Sequence, residues 1–145
     1  MADHCASSAG KSEVDIANYH IPALIFNLPE TAPQKIEIQC SQIDVFPTLF
    51  GYLNWSYASN FYGKDVNKMD STDERALIGN YQKLGLLKGD KAMILGTVKT
   101  KNFYQWDQKT NEMTKIKTDN SFLKEAISYY QSADYLFQKK TIKSE

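Results

Sequence analysis

Asp3 and His4 stand next to each other and offer a carboxylate oxygen and an imidazole nitrogen. Divalent cations of hard or borderline character accept that pair of donors. A metal site needs at least one or two further protein ligands, and none stands nearby. The rest of such a site would come from sequence upstream of the pair. His20, the only other histidine, directly precedes an apolar run. There an imidazole serves either as a satisfied structural group or as a contact at the mouth of a sheet. Lys11, in Ser-Ser-Ala-Gly-Lys-Ser, is either a solvated cation or an anion contact on a loop. The segment is not a phosphate-binding P-loop, because the earlier glycine of GxxxxGKS/T is absent. Asp65 and Glu74 are surface acids with no visible partner. Trp55, Tyr57, Phe61 and Tyr62 form an aromatic segment that reads either as a local core or as a binding patch. No GxSxG, HExxH, GxGxxG or EF-hand pattern occurs. Cys5 and Cys40 make no CxxC pair; they read as two free thiols, or as a disulfide in an extracytoplasmic setting.

The elements that would position these groups follow from period and punctuation. Residues 5–18 are small and polar and read as a loop. His20–Leu28 is a short apolar run that suits a strand buried on both faces, as in a parallel sheet, with Pro22 at its edge. Ile36–Cys40 alternates and suits a half-buried strand. Ser41–Leu53 reads as a helix with Asp44 as N-cap and Pro47 in its first turn. Val45, Leu49, Tyr52 and Leu53 form its packing stripe. Residues 54–73 read as a long irregular surface segment. ALIGNYQ, KAMILGTVKT and NFYQWD then suggest strands separated by LLKGD and TKN turns. DQKTNE suggests a hairpin loop before Met113–Lys117. Asn120–Gln138 repeats apolar residues at helical spacing, and Asp119, Asn120 or Ser121 can cap it.

The 145 residues suffice for one domain with a sizeable core. Seventeen basic and 17 acidic side chains balance to zero net charge, so no bulk electrostatic attraction favours nucleic acid or an anionic membrane as a partner. No run approaches the ~20 apolar residues of a membrane span, and no signal peptide is visible.

In order along the chain, "ADHCASSAGKSE", "YHIPALIF" and "CSQIDVFPTLFGYLNWSY" resemble the C-terminal part of the lipoteichoic acid synthase-like sulfatases and phosphoglycerol transferases, members of the alkaline phosphatase superfamily. "FYGKDV" and "RALIGNYQKLGLLKGDKAMIL" resemble the later segments of that family, so the likeness covers most of residues 2–107. The resemblance implies an α/β fold: the C-terminal portion of an alkaline phosphatase-like sheet with packed helices, a small antiparallel meander and a final helix. Residues 1–75 would carry the sheet and helix part with the remnant of the metal site, and residues 76–145 the antiparallel strands and last helix.

It further implies that Asp3 and His4 ligate a divalent metal, manganese first, with magnesium, calcium or zinc as alternatives. His20 and Lys11 would contact the transferred phosphate or sulfate. No catalytic residue lies in this chain on that basis, since the family's nucleophilic threonine or serine has no counterpart here. The implied chemistry is attack of a hydroxyl on a phosphodiester or sulfate ester through a covalent intermediate. The implied substrate is lipid-linked or polysaccharide. The parent would be anchored in the cytoplasmic membrane with its catalytic domain outside the cytoplasm. This chain would be a soluble fragment, inactive alone and dimerising through exposed strand edges.

Overall fold

The structure is a computed structural model that describes residues 14–28, 31–80 and 82–139. Alternating apolar residues between short turns build five strands: β1 (Ala76–Gly79), β2 (Leu84–Lys88), β3 (Lys91–Leu95), β4 (Lys101–Trp106) and β5 (Met113–Lys115). They form one antiparallel sheet in the order β1-β2-β3-β4-β5. Two helices accompany it, α1 (Val45–Tyr52) and α2 (Asn120–Gln138). Together they give the expected α/β architecture with its meander and closing helix.

The period of two decides which side chains meet. Leu86 faces Met93 and Met93 faces Phe103 across β2, β3 and β4, and this row packs on Phe122 and Ala126 of α2. The next row, Leu87, Ala92 and Tyr104, points to the opposite face, where Val14 and Ile16 cover it. Each large side chain buried this way contributes about 1.5–3 kcal/mol. Turn chemistry fixes the register. Gly89 takes a φ of +59° between β2 and β3, and Asp107 Oδ1 accepts from the amides of Lys109 and Thr110 between β4 and β5.

Asp119 caps α2: its Oδ1 accepts from the amides of Ser121 (3.0 Å) and Phe122 (3.1 Å). Two contacts set the direction of the helix. Glu125 pairs with Lys88 at 2.7 Å, and the Tyr130 hydroxyl donates to the carbonyls of Gly85 (2.7 Å) and Ile78 (3.2 Å). The helix therefore runs antiparallel to β2. Of its long apolar stripe only Phe122 and Ala126 are fully buried; Leu123, Ile127 and Tyr130 are half-buried, and Tyr135 and Phe137, past the last contact with the sheet at Tyr130, are exposed.

Four sequence expectations need correction. Residues 21–28 and 36–40 are not strands of the sheet; of the two segments only Gln39 bonds its edge, at the Arg75 amide just before β1. Phe26, expected in a doubly covered strand, is 85% exposed. The LLKGD segment is not wholly a turn, since Leu86 and Leu87 sit in the middle of β2. KAMILGTVKT is not one strand; it breaks after Leu95 and turns through Thr97–Thr100.

The segment before α1 seals one side of the sheet. Gln39 O accepts from the Arg75 amide (3.1 Å), and Ser41 Oγ accepts from the Leu77 amide (2.6 Å), so β1 is not a bare edge.

Burial pushes the Tyr130 phenol up to about 12. The folded state favours the neutral phenol, so its contribution is complete below the ordinary value of about 10 and is lost as pH climbs from there toward 12. Urea unfolding across this range is expected to show a falling stability in the wild type. In Tyr130→Phe that alkaline slope should be smaller, with a loss of about 1 kcal/mol at neutral pH.

Candidate functional site

The most connected polar group among the described residues is the carboxylate of Asp44. The backbone of Asp44 begins α1, yet its side chain does not cap that helix. Oδ2 accepts from the Ser41 amide (2.8 Å) and from Arg75 Nη1 (2.6 Å). Oδ1 accepts from the Lys64 amide (2.7 Å) and from Arg75 Nη2 (2.8 Å). Arg75 and Asp44 are each 1% exposed. Burial works against the guanidinium charge, but the hydrogen bonds and attraction of Asp44 outweigh it and hold Arg75 above its usual value; Tyr129 adds a smaller push.

Local sequence explains how four segments converge here. The Thr48 hydroxyl donates to Asp44 O (2.6 Å) and accepts from the Val66 amide (3.1 Å), tying α1 to the loop that follows it. Gly63 is required because its backbone crosses the Ile43 carbonyl so closely that a Cβ would collide with it. That close passage brings the Lys64 amide to Asp44. Arg75 Nη2 also reaches the Tyr62 carbonyl at 3.4 Å. Arg75 was not singled out by its neighbours in sequence. The available signal was compositional: it is the sole arginine among 17 basic residues, and only arginine offers a planar fork for a buried carboxylate.

The aromatic segment leans on this hub. Phe50 of α1 stacks with Trp55 (ring centroids 5.5 Å apart) and meets Tyr57 edge-on (4.9 Å), with Phe46 and Phe61 at 6.1 and 6.5 Å. The rings gather round Phe50, yet Trp55 stays 61% exposed, and Phe46, Tyr57 and Phe61 are exposed too.

Of the residues expected to act on a metal or substrate, Asp3, His4 and Lys11 lie outside the described residues, as does Cys5. His20 follows the 3-10 turn Ile16–Tyr19, donates its amide to Ala17 O (3.1 Å) and is exposed. Cys40 is a free thiol, pushed up by partial burial and by the nearby Asp44 charge, which makes it a poor nucleophile at neutral pH. Among the described residues no group of three or more His, Cys, Asp or Glu converges to hold a metal ion. The buried carboxylate has both oxygens committed to Arg75 and two amides, so the described residues alone do not make a metal site.

No protein-family model matches the chain. Among solved structures, it superposes with a TM-score of 0.91 and 26% identity on the crystal structure of a protein in the alkaline phosphatase superfamily from Vibrio parahaemolyticus. The match covers 99% of this chain and 35% of that one. This chain therefore spans about a third of the length of the structure it matches. The likeness supports the superfamily, and the fold is that of a segment of an alkaline phosphatase-like protein.

Removing either partner of the buried pair strands the other charge. Arg75→Met or Asp44→Leu alone is expected to cost about 3–5 kcal/mol in chemical denaturation. The double variant should lose markedly less than the sum of the two, and added salt should change the wild-type value little.

Proposed function

We propose that this chain is the C-terminal part, residues 1–145, of the catalytic domain of a metal-dependent phosphoglycerol transferase or sulfatase. It acts on phosphodiester or sulfate ester groups of lipid-linked or polysaccharide substrates outside the cytoplasmic membrane. The observation that carries this reading is the superposition on an alkaline phosphatase superfamily protein over nearly the whole chain, in a sequence that also holds an adjacent Asp-His pair. Asp3 and His4 are two ligands of a divalent metal in this reading, manganese before magnesium, calcium or zinc. Bound there, the metal draws charge from the ester oxygens.

The chain's own contributions are positional. His20 is exposed and so open to the transferred group, and Lys11 adds a cationic contact to the same anion. Asp44 and Arg75 fix α1 and the aromatic segment against the start of the sheet. The nucleophile belongs to sequence upstream, and the 145-residue chain by itself is inactive. No helix among the described residues is long and apolar enough to cross a membrane, so anchoring is assigned to the longer protein. Self-association belongs to the outer edge of β5, since β1 is covered by residues 39–41.

A second reading is favoured by the outward-facing rings of Trp55 and Phe61: a non-catalytic module that binds a partner through Trp55–Tyr62. One experiment separates the two. The reading frame extended upstream is assayed with manganese and a chromogenic phosphodiester or sulfate ester. Turnover is expected, falling at least about tenfold for Asp3→Ala or His4→Ala, with none from the 145-residue chain. Turnover by the short chain, or full activity in both variants, would overturn the catalytic reading. An inert extended protein would leave the module.

A further inference from the structure

The register brings Gly79, Leu84, Leu95 and Lys101 together at one end of the sheet. Two features project past that end. One is the turn between β3 and β4. The Thr100 amide donates to Thr97 O (3.2 Å), and the two central residues, Val98 and Lys99, have φ of +56° and +57°. Such a hairpin turn favours Asn, Asp or Gly, and a β-branched residue in this region is strained. Elsewhere the described residues with positive φ are Asn27, Asn54, Asn111 and Gly89, which tolerate it. Val98 is 92% exposed, so no packing inside the chain compensates for its conformation. The other feature is the end of α2. The eight residues after Tyr130 carry it on by about 12 Å, with Tyr135 and Phe137 exposed and Lys139 5.7 Å over the Tyr135 ring.

Lys99, Lys101 and Lys139 stand on or beside these elements and Lys83 on the β1–β2 turn at the same end, against one carboxylate among the described residues there, Asp134, which accepts from Gln138. The opposite end of the sheet and helix carries Asp90, Asp107, Glu112, Asp119 and Glu125 with Lys88, Lys91, Lys109 and Lys124, so acids and bases nearly balance there. The cationic excess thus lies at one end of the strand axis, with apolar tips set between the cations.

We propose that this end of the sheet is a contact surface for an anionic lipid bilayer. Val98 and Phe137 enter the boundary between headgroups and acyl chains, Tyr135 lies at headgroup level, and the lysine ammonium groups meet lipid phosphates. An asparagine in place of the strained valine would make a better turn and a worse contact. From the proposed function this takes only the choice of a lipid as partner. Binding measured without turnover keeps its failure separate from failure of the catalytic reading.

The test is cosedimentation of the 145-residue chain with vesicles of phosphatidylglycerol and phosphatidylcholine in equal parts, against vesicles of phosphatidylcholine alone. Binding is expected to the anionic vesicles and to weaken as salt is raised. Lys99→Gln and Lys101→Gln should each lower partitioning roughly fivefold. Val98→Asn should lower it several-fold while raising the thermal midpoint, since relief of the strained φ stabilises the turn. That opposite pair of shifts excludes unfolding as the reason for lost binding. Equal binding to both vesicle types would overturn the proposal. So would unchanged partitioning of Val98→Asn, or equally strong capture by soluble polyphosphate.

Discussion

Taking a carboxylate and a guanidinium out of water costs several kcal/mol per ion unless the pair is well made. Asp44 and Arg75 meet that condition, because both carboxylate oxygens face the fork and each accepts a backbone amide as well. The geometry leaves little freedom. The 3-10 turn Gln42–Asp44, the Gly63–Lys64 crossing and the entry to β1 must all arrive at once. A chain whose described helices and strands are mostly short gains from such a fixed point. Burial of apolar area alone is non-directional and would tolerate several arrangements of these segments.

With that point set, the sheet is covered on both faces by segments from opposite ends of the described chain. Val14 and Ile16 lie on one face and α2 on the other. The aromatic segment is held at both ends, by the Trp55 amide on Phe50 O and by the Tyr62 carbonyl on Arg75. Its rings therefore present a defined surface although the segment has almost no regular structure.

What was legible in the sequence is what local chemistry dictates. α2 was readable to its limits, because Asp119 caps it and apolar residues repeat at helical spacing. The DQKTN loop was readable because Asp107 and Asn111 are turn residues by their side chains. Non-local features were hidden. The apolar run at 21–28 implies buried strand, but burial depends on what lies beside it, which the run itself does not encode. β2 hid between Gly85 inside it and Gly89 just after it, and the β3–β4 turn hid because Val98 and Lys99 look like strand residues. For the candidate site, the IDVFPTL segment was readable as a motif, but the partner of Asp44 lies 31 residues away.

The solitary arginine has a practical consequence. Trypsin finds many lysines on this surface, but a protease specific for arginine has one peptide bond to attack, after a buried side chain held by Asp44 at the entry to β1. Cleavage there requires the centre of the molecule to open. The rate of a single cut, giving two pieces of nearly equal size, therefore reports the opening of this one junction without any label.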